Sequence, residues 1–163
     1  MERLKEVTLR PILAMFLSVA FSAHCLVALA ADPATMTGAV KTPLTLDNAT
    51  LSAMPVASVS ISYGSSNSTY TGVLVWDLLK KAELIPGEGK NAALRHTLLI
   101  TSANGYAVAV ALGELDPSYG NKQVMLAYRS TDGSASFDHL RLLVPGDVRG
   151  GRAVRDVAKI EVN

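Results

Sequence analysis

Between Val56 and Tyr63 the chain alternates, with Val59, Ile61 and Tyr63 set against Ser58, Ser60 and Ser62. Period two predicts a half-buried strand. Gly64 to Ser68 reads as a turn, after which Thr69 to Thr71 resumes a short strand. The period then changes. From Val73 to Leu84 the apolar residues Val73, Trp76, Leu79 and Leu84, helped by Val75 and Leu78, share one stripe, while Asp77, Lys80 and Lys81 mark a polar side. That spacing predicts a helix, ended by Pro86-Gly87. His96–Thr101 and Tyr106–Ala111 are apolar runs flanking Asn104-Gly105, a pair that tolerates positive φ and signals a hairpin.

Further strands are expected at Val40–Leu46, where Pro43 indicates an edge, and at Gln123–Tyr128, Leu140–Val144 and Val157–Val162. A short helix is expected at Asp47–Met54, stopped by Pro55, and a single helical turn at Leu112–Asp116. Asp132-Gly133 reads as a turn, and residues 31–38 as a small, polar leader. The sum is seven or eight strands with two short helices and no regular strand–helix alternation. This predicts an α+β domain, mostly mixed β-sheet, with helices on one side or end.

The N-terminus has a different character. Arg3, Lys5 and Arg10 precede an apolar run from Ile12 to about Phe21, and Ala28-Leu29-Ala30 supplies a small-x-small site before Ala31. A basic start, a short apolar stretch and such a site read as a secretory signal peptide over residues 1–30. Ser18, Ser22 and His24 interrupt the run below the length of a membrane span. No Arg-Arg pair precedes it, so the general secretory route is expected and the protein is placed in the periplasm or outside the cell. Cys25, the single cysteine, lies in this leader; His24 beside it argues against lipid attachment. Residues 31–163 then form one domain's worth of chain.

Without a cysteine, that domain uses no disulfide and no Cys-based zinc, iron–sulfur or thiol chemistry. After the leader, acidic and basic side chains are equal in number, which argues against a nucleic-acid partner. The charge is uneven, however: Arg141, Arg149, Arg152, Arg155 and Lys159 crowd the last stretch. There Pro145 leads into Gly146, Gly150 and Gly151, interleaved with arginines. Glycine lets backbone N–H groups approach an anion, and the guanidinium fork matches phosphate oxygens. One reading is therefore an anion cradle. The other is a tight connection whose arginines pair with Asp147, Asp156 or other acids. His96 and His139 lack metal-ligand spacing and read as surface or capping residues, and no nucleophile-elbow pattern supports a hydrolase. Trp76 and Tyr106 are expected in the core; Tyr63, Tyr70, Tyr119 and Tyr128 are candidates to line a cleft. Asn48-Ala-Thr50 and Asn67-Ser-Thr69 are glycosylation sequons, of no consequence for a bacterial source.

The segment Leu140 to Val162, a leucine-rich strand entering Val144-Pro145-Gly146, then arginines at 152 and 155 and a closing Ile160-x-Val162, resembles the end of the molybdopterin-binding oxidoreductase domain, the sulfite-oxidase-like family. Gly72-Val73 followed by Trp76-Asp77-Leu78-Leu79, Asn104-Gly105-Tyr106, and Leu126-Ala127-Tyr128 with Asp132-Gly133 resemble further family patterns in the same order. The resemblance spans about residues 38 to 162. It implies the sulfite-oxidase-like fold and a molybdopterin pocket whose phosphate would be held by the positions matching Arg152 and Arg155, with Arg149 a further candidate beside Gly150 and Gly151. Arg141 could equally be a structural ion pair.

The chain departs from the family in one respect. Catalytic members carry a molybdenum-ligating cysteine on the strand matching Val56–Tyr63, where this chain offers Ser60 and Ser62. A serine hydroxyl lacks the soft, readily ionised sulfur of a thiolate. Export by the general route, unfolded, also separates the chain from cofactor inserted in the cytoplasm. The resulting expectation is a non-catalytic binding or accessory module for a pterin-like or other small anionic ligand, or for a periplasmic or membrane protein partner. The alternatives are a molybdopterin-dependent oxidoreductase with non-cysteine ligation and a purely structural docking domain.

Overall fold

The computed structural model describes residues 32–63 and 66–163. The expected leader, its cleavage point and Cys25 lie outside the described residues, as does part of the turn after Tyr63. The described residues form β1 (Thr35–Gly38), β2 (Leu44–Thr45), α1 (Asn48–Ser52), β3 (Ala57–Tyr63), β4 (Ser66–Leu74), α2 (Val75–Lys81), β5 (Thr97–Ser102), β6 (Ala107–Ala111), α3 (Leu112–Leu115), β7 (Met125–Ser130), β8 (Arg141–Leu143) and β9 (Val157–Val162). One sheet has the order β2-β1-β9-β5-β6 and the other β3-β4-β7-β8. β1 runs parallel to β9 and the remaining pairs are antiparallel. This is a mixed α+β fold dominated by sheet, as the sequence predicts.

A single apolar cluster joins the two sheets. Met36, Leu98, Ile100 and Ile160 come from the first, Val73, Leu126 and Leu142 from the second, and Leu78 and Leu79 from α2. All are buried, and each such side chain contributes about 1.5–3 kcal/mol relative to exposure. A smaller cluster (Tyr70, Met125, Ala127, Ala135 and Leu143, with Val59 and Ile61 packed against it) occupies the opposite face of the second sheet. Tyr128 belongs to the main cluster and stacks on Phe137 at 4.5 Å between ring centroids.

The structure revises several sequence expectations. Residues 35–38, read as leader, are a strand: Met36 is fully buried, and β1 pairs with β9 through Thr35–Gly38. The strand expected at Val40–Leu46 shrinks to Leu44–Thr45, with Pro43 just before it. The second hairpin strand is longer than expected and absorbs Val73 and Leu74, because β7 pairs with it as far as Leu74. The helix therefore begins at Val75, and its buried residues are Val75, Leu78 and Leu79, with Trp76 only half-buried.

Gly72 shows why the strand–helix junction needs glycine. A Cβ there would lie 2.1 Å from the Leu126 carbonyl oxygen, backbone that cannot swing away. The register between β4 and β7 shifts at the same point, between Thr71 and Gly72, as at a β-bulge.

Candidate functional site

The C-terminal loop that follows β8 contains Gly146, at φ +89, and then one turn of 3-10 helix at Gly150–Arg152. Gly150 and Gly151 do not take positive φ, and a Cβ at Gly151 would meet nothing within 4 Å. Gly151 is therefore not held against a close neighbour. The Gly151 carbonyl instead accepts a hydrogen bond from the Tyr106 hydroxyl at 2.6 Å. Tyr106, expected in the core, is 52% exposed and acts as a tether from the β5–β6 hairpin to this loop.

The three loop arginines differ in their surroundings. Arg152 donates to Asp147 through two hydrogen bonds, Nε–Oδ2 at 2.8 Å and Nη2–Oδ1 at 2.7 Å. Its Nη1 reaches Glu114 of α3 at 3.2 Å, and Lys122 completes the cluster through Glu114 at 2.8 Å. Hydrogen bonding from Arg152 is the main cause that holds the Asp147 carboxyl below its usual value. At Glu114 burial pushes upward, but hydrogen bonds from Lys122 and Arg152 and their charges outweigh it. Asp147, with a second contribution from Glu114, keeps Arg152 firmly protonated. Of the two readings of this segment, Arg152 follows the internal ion pair. Arg149 and Arg155 are exposed and make no side-chain ion pair among the described residues.

Ser60 and Ser62 lie on the exposed face of β3. Ser60 Oγ is 2.9 Å from Thr69 Oγ1 across the hairpin, in register with it. The face of β3 turned toward the smaller cluster presents Ala57, Val59 and Ile61. Ser58, Ser60 and Ser62 alternate onto the other, exposed face, so the structure does not bring Ser60 and Ser62 together with the groups packed there.

One charged residue does lie there. Arg141, at the start of β8 opposite Ala127, is only 7% exposed. Its guanidinium sits over the Tyr70 ring, 5.3 Å from the centroid, a favourable cation–π arrangement. Nη1 donates to Ser134 Oγ at 2.7 Å, while Nε is buried without any partner. No carboxylate of the described residues lies within ion-pair distance. The nearest link is indirect: Ser134 Oγ donates onward to Asp132 Oδ1 at 2.7 Å. Hydrogen bonds from Ser134, Ser130 and Ser68 hold the Asp132 carboxyl well below the usual carboxylate range. The expected structural ion pair of Arg141 is thus replaced by a hydroxyl-bridged one that leaves one guanidinium donor unused. An orphaned buried donor costs about 1–3 kcal/mol, and a buried charge normally finds a counter-charge. The sequence pointed to the loop arginines because glycines surround them; the signal for Arg141 is a charge placed inside an otherwise apolar Leu140–Val144 strand.

His139 is exposed and 2.7 Å from Asp156, a surface residue as expected; His96 caps the 3-10 turn at Ala92–Arg95, with Nδ1 2.9 Å from the Asn163 carbonyl and Nε2 buried without a partner among the described residues. Among the described residues no group of three or more His, Cys, Asp or Glu side chains is arranged to hold a metal, and no helix is long and apolar enough to cross a membrane. A molybdenum centre of thiolate type does not fit the donors on β3, which are hydroxyls already engaged across the hairpin or exposed. The buried Nε of Arg141 is left as a charged donor without an acceptor.

Comparison with known proteins agrees with this fold. No curated protein matches the chain. Among solved structures it is similar to the sulfane dehydrogenase SoxCD from Paracoccus pantotrophus, with a TM-score of 0.60 and 21% identity over 80% of this chain. It spans 37% of the length of that chain, so the likeness establishes the fold. The family model described as the oxidoreductase molybdopterin binding domain matches residues 33–163. Both sheets, the hairpin that carries the serines and the arginine loop fall inside that match, and the chain belongs to the family of oxidoreductase molybdopterin-binding domains.

Proposed function

We propose that this protein is an exported, non-catalytic binding or accessory module that uses the molybdopterin-binding fold to hold a small anionic ligand, pterin-like in the family's manner. The observation that carries the reading is Arg141: a buried guanidinium with an unpartnered Nε and no directly paired carboxylate. Bound molybdopterin would present an anionic phosphate, and the residues able to meet it are Arg141 and the two exposed loop arginines, Arg149 and Arg155. Arg152 sets the shape of the loop through Asp147 and Glu114 rather than offering a free fork. Serines in place of thiolate, placed on the other face of β3, support a role in binding without molybdenum redox chemistry.

Thermal unfolding with inorganic phosphate and with a phosphorylated pterin tests this. Binding to the folded state alone raises stability by about 2.7 kcal/mol at a hundredfold excess over Kd. A rise in Tm that high salt weakens, and that Arg141→Met abolishes in a folded protein, is expected. No shift at millimolar concentrations of either compound rules the reading out. Metal analysis of protein from its native compartment tests the oxidoreductase alternative: stoichiometric molybdenum would favour it.

A further inference from the structure

A second feature, independent of the arginine site, is the edge of the smaller sheet. Four sheet edges exist among the described residues: β2, β6, β3 and β8. Three are short or guarded. β2 has two residues. β8 is covered on its outer side, where the Leu142 N–H donates to the Val154 carbonyl at 2.8 Å. β6 has five residues, and its last N–H, of Ala111, already donates to Glu114 Oε1 at 3.4 Å.

β3 has none of these devices. It is seven residues long and, among the described residues, pairs only with β4. It contains no proline and no charge; indeed no Asp, Glu, Lys, Arg or His occurs between Asp47 and Asp77. Open edges are normally blunted by lysine, proline, bulges or a covering segment, because unpaired N–H and C=O groups template pairing with another strand. An edge without such protection is expected to be covered in the working molecule.

The sequence of β3 says by what. Ser58-Val59-Ser60-Ile61-Ser62 has the same pattern read in either direction. Laid antiparallel on a second copy with Ser60 opposite Ser60, Ser58 faces Ser62 and Val59 faces Ile61. The half-buried apolar side chains then meet on one face, continuing the smaller cluster, and the hydroxyls meet on the other. No like charges oppose each other. A two-fold axis generates this self-complementary contact. We infer that β3 pairs with β3 of a second copy about Ser60, joining the two four-stranded sheets into one continuous sheet.

The chain offers a clean test, because with Cys25 removed in the leader or replaced by serine it has no thiol. Directly opposed residues of antiparallel strands have Cα atoms about 4.5–5.5 Å apart, inside the about 4.4–6.8 Å range that a disulfide spans. Ser60→Cys is expected to give a disulfide-linked dimer under mild oxidation, whereas Ala109→Cys at the centre of β6 stays monomeric. Sedimentation velocity of the unmodified protein should show a concentration-dependent dimer. Ser60→Lys, which sets two ammonium groups face to face, should lower its association constant at least tenfold with unchanged circular dichroism. A monomer at all concentrations, a dimer indifferent to Ser60→Lys, or cross-linking at position 109 as readily as at 60 overturns the inference. Should Ser60→Lys fail to fold, the cysteine pair still decides.

Discussion

Arg152 and Asp147 form a two-pronged hydrogen-bonded pair across the C-terminal loop, at 2.7 and 2.8 Å, and Glu114 on α3 binds the remaining Nη1 of the same guanidinium. The loop is thus stapled to an element far from it in sequence by one arginine shared between two carboxylates. All members are partly exposed, so the network is worth on the order of 1 kcal/mol. Arg152→Ala should lower unfolding free energy by about that amount in urea, with a smaller effect in high salt. Asp147→Asn combined with Arg152→Ala should cost less than the sum of the two, and strict additivity would show that they do not act together.

The same pair makes a pH prediction. Asp147 and Glu114 have folded-state pKa values below their usual 3.8 and 4.5. A depressed carboxyl contributes stability that is complete above the unfolded pKa and is lost as pH falls through the folded one. Stability from this network should therefore be flat from neutrality to about pH 5 and decline below about pH 4.5. Chemical denaturation at stepped pH checks it: the acid-side slope of the protein should flatten in the Glu114→Gln, Asp147→Asn double variant.

Ser134 links Asp132 to Arg141, and its hydrogen bond is the largest cause of the lowered Asp132 pKa. Ser134→Ala should raise that pKa, read as a shift in the carboxyl resonance during an NMR titration. It also removes the only acceptor of Arg141 Nη1 among the described residues and should destabilise the fold by about 1–3 kcal/mol. An unchanged titration would mean that Ser130 and Ser68 suffice.

Met36 tests whether β1 is part of the domain. It is fully buried in the main cluster, between strands far apart in sequence. Met36→Ala should cost about 2–5 kcal/mol, measured by equilibrium unfolding; a cost under about 0.5 kcal/mol would mark β1 as dispensable.

Gly72→Ala should destabilise by about 1–3 kcal/mol, since the added methyl collides with the Leu126 carbonyl rather than with a mobile side chain. Circular dichroism melting curves would show it directly.

Periodicity found most of the fold because most elements meet solvent on one side. The β3 alternation, the hairpin about Asn104-Gly105 and the last strand appear as expected. It failed where tertiary pairing decides. A single methionine among threonines and glycine gives no local signal for β1, which exists because β9 lies beside it. Val73 fits a helical stripe yet stays in β4 with Leu74, because β7 pairs with both. At the site, glycine and arginine composition directed attention to Arg152, but its counter-charges, Glu114 and Lys122, are distant in sequence. Arg141 was visible only as a charge in an apolar strand, and the absence of an ion-pair partner became legible only in three dimensions.

The carboxylates around Arg152 have a consequence for how the protein is made. In a loop whose arginine depended on a visiting anion, maturation would have to wait for cargo to arrive. Here Asp147 and Glu114 are encoded in the chain and supply the counter-charge from the moment the loop closes. The polypeptide therefore carries within itself the charges that close this loop, and closure needs no visiting anion.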